Sequence, residues 1–280
     1  MNLEEYERIQ PNMTVDNIIF YVPNRHCEWR VNTMYTKEPD TVAWIRGMQP
    51  GETFYDVGAN IGLYTLLAVR QGLKVFAFEP EAQNFSILVR NLTLNLVPKA
   101  NAIAFPFCIS DQERVDTLRL SALNAGGSCH AFGSNKNYKM QEKEWAYEQG
   151  TVGFSLDALV MDCKMPQPDH IKIDVDGFDD KVLAGARETL KNVKSVLVEM
   201  DSANADHMGW VDRLRNEYGF VTDDAQIAAA RRAEGPFTGI GNIIFTRPGD
   251  HHETSNSAGT TDALSAQLQP SVGKAESGQS

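Results

Sequence analysis

Thr53-Phe54-Tyr55-Asp56-Val57-Gly58-Ala59-Asn60-Ile61-Gly62 is the stretch whose reading decides the fold. β-formers come first (Thr53, Phe54, Tyr55, Val57), with an acid, Asp56, at the strand's end. A glycine-flanked turn follows, and then an apolar helical run from Leu63 to Val69. The pattern is strand, tight turn, helix. Glycines allow positive φ and let the backbone come close to a ligand. The helix behind them aims its unpaired N–H groups at whatever fills the turn.

The spacing separates ligand classes. A dinucleotide fingerprint is G-x-G-x-x-G with a pyrophosphate on the helix end; here it is G-x-x-x-G, closely preceded by an acid. A carboxylate there repels a pyrophosphate and welcomes an ammonium or a sulfonium. S-adenosylmethionine carries both cations. A second acid, Glu79, closes the next strand, Lys74–Glu79, where ribose hydroxyls are held in such sheets. The donor contacts read from this unit are Asp56, Gly58, Ala59, Asn60, Gly62, Glu79 and Pro80.

The chain has 280 residues, 42% of them hydrophobic, which suits one sizeable α/β domain. A net charge of −11 without a basic stripe argues against a nucleic-acid partner. Cys27, Cys108, Cys129 and Cys163 form no C-x-x-C pair and read as free thiols in a reducing compartment. There is no signal-like start and no apolar run long enough to span a bilayer, so a cytoplasmic protein is expected. A homo-oligomer is compatible with the sequence.

Outward from the glycine turn, residues 1–50 read as an N-terminal extension packed on the core. It holds a strand at Asn17–Pro23, a second at Arg30–Thr33, and a short helix at Pro39–Met48 that either covers the ligand end of the sheet or packs Trp44 into the core. Residues 51–248 form the main domain. Helix Ala82–Leu96 aligns Phe85, Leu88, Val89, Leu92 and Leu96 on one face. Strand Ala102–Cys108 ends near Ser110-Asp111, which either meet the adenine edge or make a plain turn. Arg114–Ser121 alternates as an added strand, and residues 122–150, with one or two helical turns at Lys139–Trp145, read as an insertion over the substrate side. Strands at His170–Val175, Ser195–Met200, Phe220–Thr222 and Gly241–Thr246 alternate with helices near Leu156–Met161, Asp179–Leu190 and Asp206–Tyr218. The sum is a seven-stranded, mostly parallel, doubly wound α/β sheet. From residue 249 to 280 the composition shifts to a disordered tail, in which His251-His252 read as solvated.

DVGANIGLYTLLA, VFAFEPEAQNFSILVRNLTLN, IKIDVDGFDDKVLAGARETL and SVLVEMD together resemble the FkbM-type family of S-adenosylmethionine-dependent, class I methyltransferases, from about Glu38 to Thr246. One departure is Asp176 in IKIDVDG, where the family usually has Glu; the chemistry is kept and the reach is shorter. The resemblance implies a Rossmann-like fold whose last strand runs antiparallel, and O-methylation of a saccharide, glycolipid or natural-product hydroxyl.

A hydroxyl acceptor must lose a proton, so a base is needed beside the methyl group. Asp174 and Asp176 end one strand and Glu199 the next, converging acids on one sheet edge. Asp174 is read as base or orienter with Glu199 as catalytic partner, and Asp176 and His130 as acceptor contacts. No resident metal is expected; the alternative is that Asp174, Asp176 and Glu199 hold Mg²⁺. Tyr64 lines the sulfonium pocket or packs in the core. The N/D-P-P-aromatic motif of amino-group methyltransferases is absent after the fourth strand, which favours an oxygen acceptor. The rival readings are an NAD-type oxidoreductase and a non-catalytic nucleotide-binding module on the same architecture.

Overall fold

The computed structural model describes residues 12–249. The tail expected beyond Gly249, with His251-His252, lies outside the described residues.

Thr53–Val57 is the hub because both of its faces are buried. Phe54 packs into one apolar layer with Ile45, Leu66 and Val75, and Tyr55 and Val57 into the other with Ile171, Val196 and Leu183. That alternation is the period of a strand covered on both sides. In chain order the strands are β1 (Asn12–Val15), β2 (Ile18–Tyr21), β3 (Thr53–Val57), β4 (Lys74–Phe78), β5 (Ala102–Phe105), β6 (Cys108–Ile109), β7 (Arg114–Leu120), β8 (Ala131–Phe132), β9 (Tyr147–Phe154), β10 (His170–Ile173), β11 (Ser195–Asp201) and β12 (Ile240–Thr246). The helices are α1 (Arg25–Asn32), α2 (Pro39–Arg46), α3 (Leu63–Arg70), α4 (Ala82–Leu94), α5 (Leu156–Met161), α6 (Asp179–Ala184), α7 (Ala205–Asn216) and α8 (Asp224–Ala230).

The central sheet runs β12-β11-β10-β3-β4-β5. Its pairs are parallel except β11–β12, which is antiparallel. This is a doubly wound sheet with an antiparallel last strand, as the resemblance implies. The chain leaves β3 toward β4 and β5, then returns to lay β10 on the other side of β3. Ligands bind in open α/β sheets at such a switch point, outside the carboxyl ends of the strands.

The sheet has six strands rather than the expected seven. The segment read as the sixth in sequence, Phe220–Thr222, is reduced to a bridge between Val221 and Thr246. It is squeezed between Gly219 at φ +72° and Asp223, whose side chain already caps α8. The expected strand at Arg30–Thr33 falls instead in and just after α1, a helix nucleated when Asn24 Oδ1 accepts from Cys27 N at 2.8 Å.

Helix α4 buries Asn84, Ile87, Leu88 and Asn91. Of the expected apolar stripe, Phe85, Leu88 and Leu92 pack inward, whereas Val89 faces outward and Leu96, exposed, lies beyond the helix. Asparagines complete the buried side: Asn91 accepts from Tyr21 N at 2.7 Å and donates to Ile61 O at 2.7 Å, and Asn95, just past the helix, exchanges two bonds with Ile19. These bonds dock the β1–β2 hairpin.

The stretch 122–150 is less of a loop than its composition suggests. β7 and β9 pair antiparallel, and with β6 and β8 they form a second sheet of four strands. No helical turn forms at Lys139–Trp145, where Met140 adopts φ +58° and Lys136 bridges Glu142. Tyr138 packs on Phe237 at 5.0 Å and donates to Pro236 O at 3.2 Å. Trp44 Nε1 donates to Ser195 Oγ at 2.8 Å, near the amino ends of the strands. Of the two readings of α2, Trp44 takes the packing one; α1 supplies Trp29 and Arg30 to the carboxyl edge.

Candidate functional site

β3 stops at Val57 because the next two N–H groups leave the ladder and both donate to Phe78 O, at 3.0 Å each. Gly58 sits at φ +82°, and a Cβ there would lie 2.0 Å from Asp174 O. Only glycine lets the turn pass this close to the end of β10. Gly62, at φ +88°, opens α3, and a Cβ would meet Leu88 Cδ1 at 2.5 Å. Between them Asn60, at φ +50°, donates its side-chain N–H to Gly127 O at 2.8 Å. The insertion is thereby tied to the glycine turn.

A cavity of about 880 Å³ opens at this carboxyl edge. It lies toward the upper end of the roughly 300–1,000 Å³ range of small-molecule sites. Of the expected donor contacts, Gly58, Asn60, Glu79, Pro80, Ser110 and Asp111 line it. Ala59 lines a smaller adjoining cleft with Tyr64 and Asp174. Gly62 lines neither, acting as the helix cap.

Asp56 also lines neither. Its side chain turns inward, 1% exposed, with Oδ2 accepting from Thr65 Oγ1 at 2.6 Å and Oδ1 3.8 Å from Lys172 Nζ. The expectation that Asp56 touches the donor's cations directly is corrected by this packing. Strand periodicity points Asp56 to the same face as Lys172, with which it is in register across β3 and β10.

β4 stops at Phe78, one residue short of the expected Lys74–Glu79, and Glu79 directly follows it. Its two oxygens accept from Asn60 N at 2.7 Å and Glu81 N at 2.9 Å, and burial pushes its carboxyl up to about 7.

Asp174, Asp176 and Glu199 come together, each offering an oxygen within 4.8 Å of the others. Their environments differ. Burial would raise Asp174, but Lys172 Nζ at 3.0 Å from its Oδ2 holds it below the usual carboxylate range. Asp176, in the left-handed region at φ +57°, accepts from Cys129 N at 2.6 Å, and burial followed by the Asp174 charge raises it to about 6. Burial first, and then Asp174, Asp179 and Asp176, push Glu199 well above the usual range; Arg232 at 3.2 Å offsets this only in part. Asp179 braces the strand end by accepting from Val175 N at 3.1 Å and Gly177 N at 3.0 Å.

His130 lines the cavity. Its Nδ1 accepts from Ser121 N at 3.2 Å, which leaves the proton on Nε2, and that atom is buried with no hydrogen-bond partner among the described residues. Burial lowers the ring to about 4, so it is neutral near pH 7. It can donate to a ligand oxygen, but it is a poor general base. Ser110 Oγ donates to Asp111 Oδ1 at 3.1 Å beside the same cavity.

Sequence reasoning passed over Lys172, Arg232 and Arg30. Lys172 carried a signal: a lone lysine between Ile171 and Ile173 in a strand whose four residues are all buried.

The raised acids make a pH prediction. Glu79 is protonated in the folded chain over a range where the unfolded chain is ionised. Its contribution is fully present below the unfolded value and is lost as pH rises through about 7. Buried histidines with lowered values, His130 among them, act in the opposite sense, so the comparison is a difference. Relative to Glu79→Gln, the wild-type protein without ligand should gain thermal stability as pH falls from about 8 to about 6. A difference in melting temperature that stays flat over that range would contradict the burial of this carboxyl.

No helix among the described residues is long and apolar enough to cross a membrane. Among solved structures the chain is similar to the magnesium protoporphyrin IX methyltransferase ChlM of Synechocystis PCC 6803, with a TM-score of 0.45 and 12% identity over 87% of this chain and 90% of that one. It is also similar to a precorrin-6y C5,15-methyltransferase from Geobacter metallireducens GS-15, with a TM-score of 0.41 and 12% identity over 84% of this chain and 94% of that one. Among curated proteins it is 24% identical over 172 residues to the hexuronic acid methyltransferase AglP of Haloferax volcanii. That alignment takes in 61% of this chain and 65% of AglP, so the chain spans slightly less than two thirds of that relative's length. The family profile described as Methyltransferase FkbM domain matches residues 56–222, well over half of the chain, and the protein belongs to the FkbM methyltransferase family.

Proposed function

We propose that the protein is an S-adenosylmethionine-dependent O-methyltransferase acting on a hydroxyl of a saccharide, glycolipid or natural product. The observation that carries this reading is the meeting of the Gly58 turn with Asp174, Asp176 and Glu199 on one cavity wall. The cavity has room for such a donor: the side-chain-free turn at Gly58 lines it, and Glu79 stands just after the second parallel strand, where ribose hydroxyls are held. S-adenosylmethionine supplies an already activated methyl group on a sulfonium. The protein's share is then alignment, which can lower a barrier by roughly 7–11 kcal/mol, and removal of the hydroxyl proton.

Asp174, kept ionised by Lys172, is suited to orient cationic or hydroxyl groups, and its depressed carboxyl makes it a weak base. Glu199 is the better base, because burial and neighbouring acids strengthen it once it is ionised. Asp176 and the free Nε2–H of His130 offer acceptor contacts. Asp174, Glu199 and Asp176 have protein partners in Lys172, Arg232 and Cys129 N–H respectively, which favours the reading without a resident metal over the Mg²⁺ alternative. The acidic chain and acidic wall favour a neutral or hydroxyl-rich acceptor over nucleic acid, and four free cysteines accord with a cytoplasmic setting.

Calorimetry separates this reading from an NAD-type oxidoreductase: S-adenosylhomocysteine should bind and NAD should not, and the reverse outcome would favour the rival. Turnover should rise with pH through one ionisation. Glu199→Gln should lose that ionisation and about 10²–10⁴-fold in rate, with S-adenosylhomocysteine affinity unaltered. A variant of unchanged rate and pH profile would remove Glu199 from the base role.

A further inference from the structure

We propose that Arg30, reaching in from the N-terminal helix α1, anchors the carboxylate of the donor's amino-acid moiety. The inference rests on the donor reading above and assigns that ligand's far end.

Arg30 is half-buried and lines both the main cavity and the adjoining cleft formed by Gly58, Asn60, Tyr64 and Asp174. Its Nε donates to Gly126 O at 2.6 Å, which fixes the stem and leaves the terminal nitrogens available. Among the described residues it forms no ion pair. The other cations of the cavity wall differ. Arg232 pairs with Glu199 at 3.2 Å, Lys37 with Glu38 at 2.7 Å, and Arg114 with Asp116 at 3.4 Å, while Lys181 is exposed on α6. Arg30 is thus a half-buried cavity cation left over after the internal pairing, in a chain whose net charge is −11. The Arg30 charge acts on Asp174 and Asp176 across the cavity but makes no direct ion pair with either, and a cation held half out of water in this way calls for an anionic or strongly accepting ligand group.

Topology says which end of the ligand that is. β3 is flanked by β4 on one side and β10 on the other. Glu79, for the ribose, follows β4; Asp174 and the Arg30 cleft lie on the β10 side of the glycine turn. A ligand whose ribose rests on Glu79 and whose chain crosses Gly58 brings its amino-acid end between Asp174 and Arg30. The ammonium then faces the acid and the carboxylate faces the guanidinium. The Gly126 bond supports this by fixing the guanidinium, and Gly126 itself packs where a Cβ would meet Cys27 Sγ at 2.9 Å. α1 is in this reading part of the donor site, which gives the N-terminal extension a binding role.

The test compares two ligands that differ only beyond the sulfur: S-adenosylhomocysteine, which carries the amino acid, and 5′-methylthioadenosine, which does not. Calorimetry on the full chain should show Arg30→Met weakening S-adenosylhomocysteine by about tenfold or more and leaving 5′-methylthioadenosine unchanged. Retained binding of the second ligand also shows that the variant is folded. Arg30→Lys, which keeps the charge, should recover part of the loss. If Arg30→Met weakens neither ligand, or weakens both equally, the anchor assignment is overturned. A wild-type protein that binds neither ligand overturns the donor reading, and this inference with it.

Discussion

Lys172→Met is expected to destabilise the fold by about 3–5 kcal/mol, the usual cost of removing one partner from a buried ion pair. Lys172 is 1% exposed. Its Nζ lies 3.0 Å from Asp174 Oδ2 and 3.8 Å from Asp56 Oδ1, above the Tyr64 ring at 5.4 Å. Burial alone would push the amine down; the charges of Asp174, Asp56 and Glu38 outweigh it and keep the amine protonated. Asp56 is less well served: burial raises its carboxyl despite Lys172 and the Thr65 hydroxyl. Methionine would leave Asp56 and Asp174 facing each other without a cation. Because the loss is one of pairing, Lys172→Met with Asp174→Asn should be less destabilised than the two single losses summed. Urea unfolding of the four proteins measures this. A Lys172→Met variant as stable as wild type would contradict the ion-pair role.

Gly58→Ala is expected to abolish donor binding and to cost about 1–3 kcal/mol in stability. Two independent penalties act there. The residue holds φ +82°, and its Cβ would fall 2.0 Å from Asp174 O, a backbone atom that cannot rotate away. Relief requires the ends of β3 and β10 to separate, which moves Asp174 from the cradle. Displacements of about 1 Å in such sites can cost on the order of 10²-fold in rate. Gly209→Ala is the control, since a Cβ there meets nothing within 4 Å and lies within α7. It should leave binding intact. Equal S-adenosylhomocysteine affinity in both variants would show that the turn does not form the cradle.

The central sheet was legible because its strands are short apolar runs bounded by glycine, proline or acids, and because helices alternate with them. What escaped were elements whose partners are distant in sequence. The sixth expected strand shrank to the Val221–Thr246 bridge once Asp223 was taken up in capping the next helix. The insertion gained a sheet because Arg114–Leu120 pairs with Tyr147–Phe154 across a long, non-periodic connection. The buried face of α4 uses Asn84 and Asn91, which an apolar count rejects. At the site, the three strand-end acids were legible by position, yet their different ionisation was not, because it depends on Lys172 beneath Asp174 and Arg232 beside Glu199. Asp56 was misread for the same reason: its inward turn is set by Thr65 and Lys172.

A crystal structure of the complex with S-adenosylhomocysteine tests most directly whether this carboxyl-edge cavity is a sulfonium-donor site. The ligand should cross the turn at Gly58 with its ribose on Glu79 and its sulfur toward Asp174 and Glu199. Electron density elsewhere on the protein, or a ligand seated in the cavity with its sulfur turned away from those acids, would contradict it.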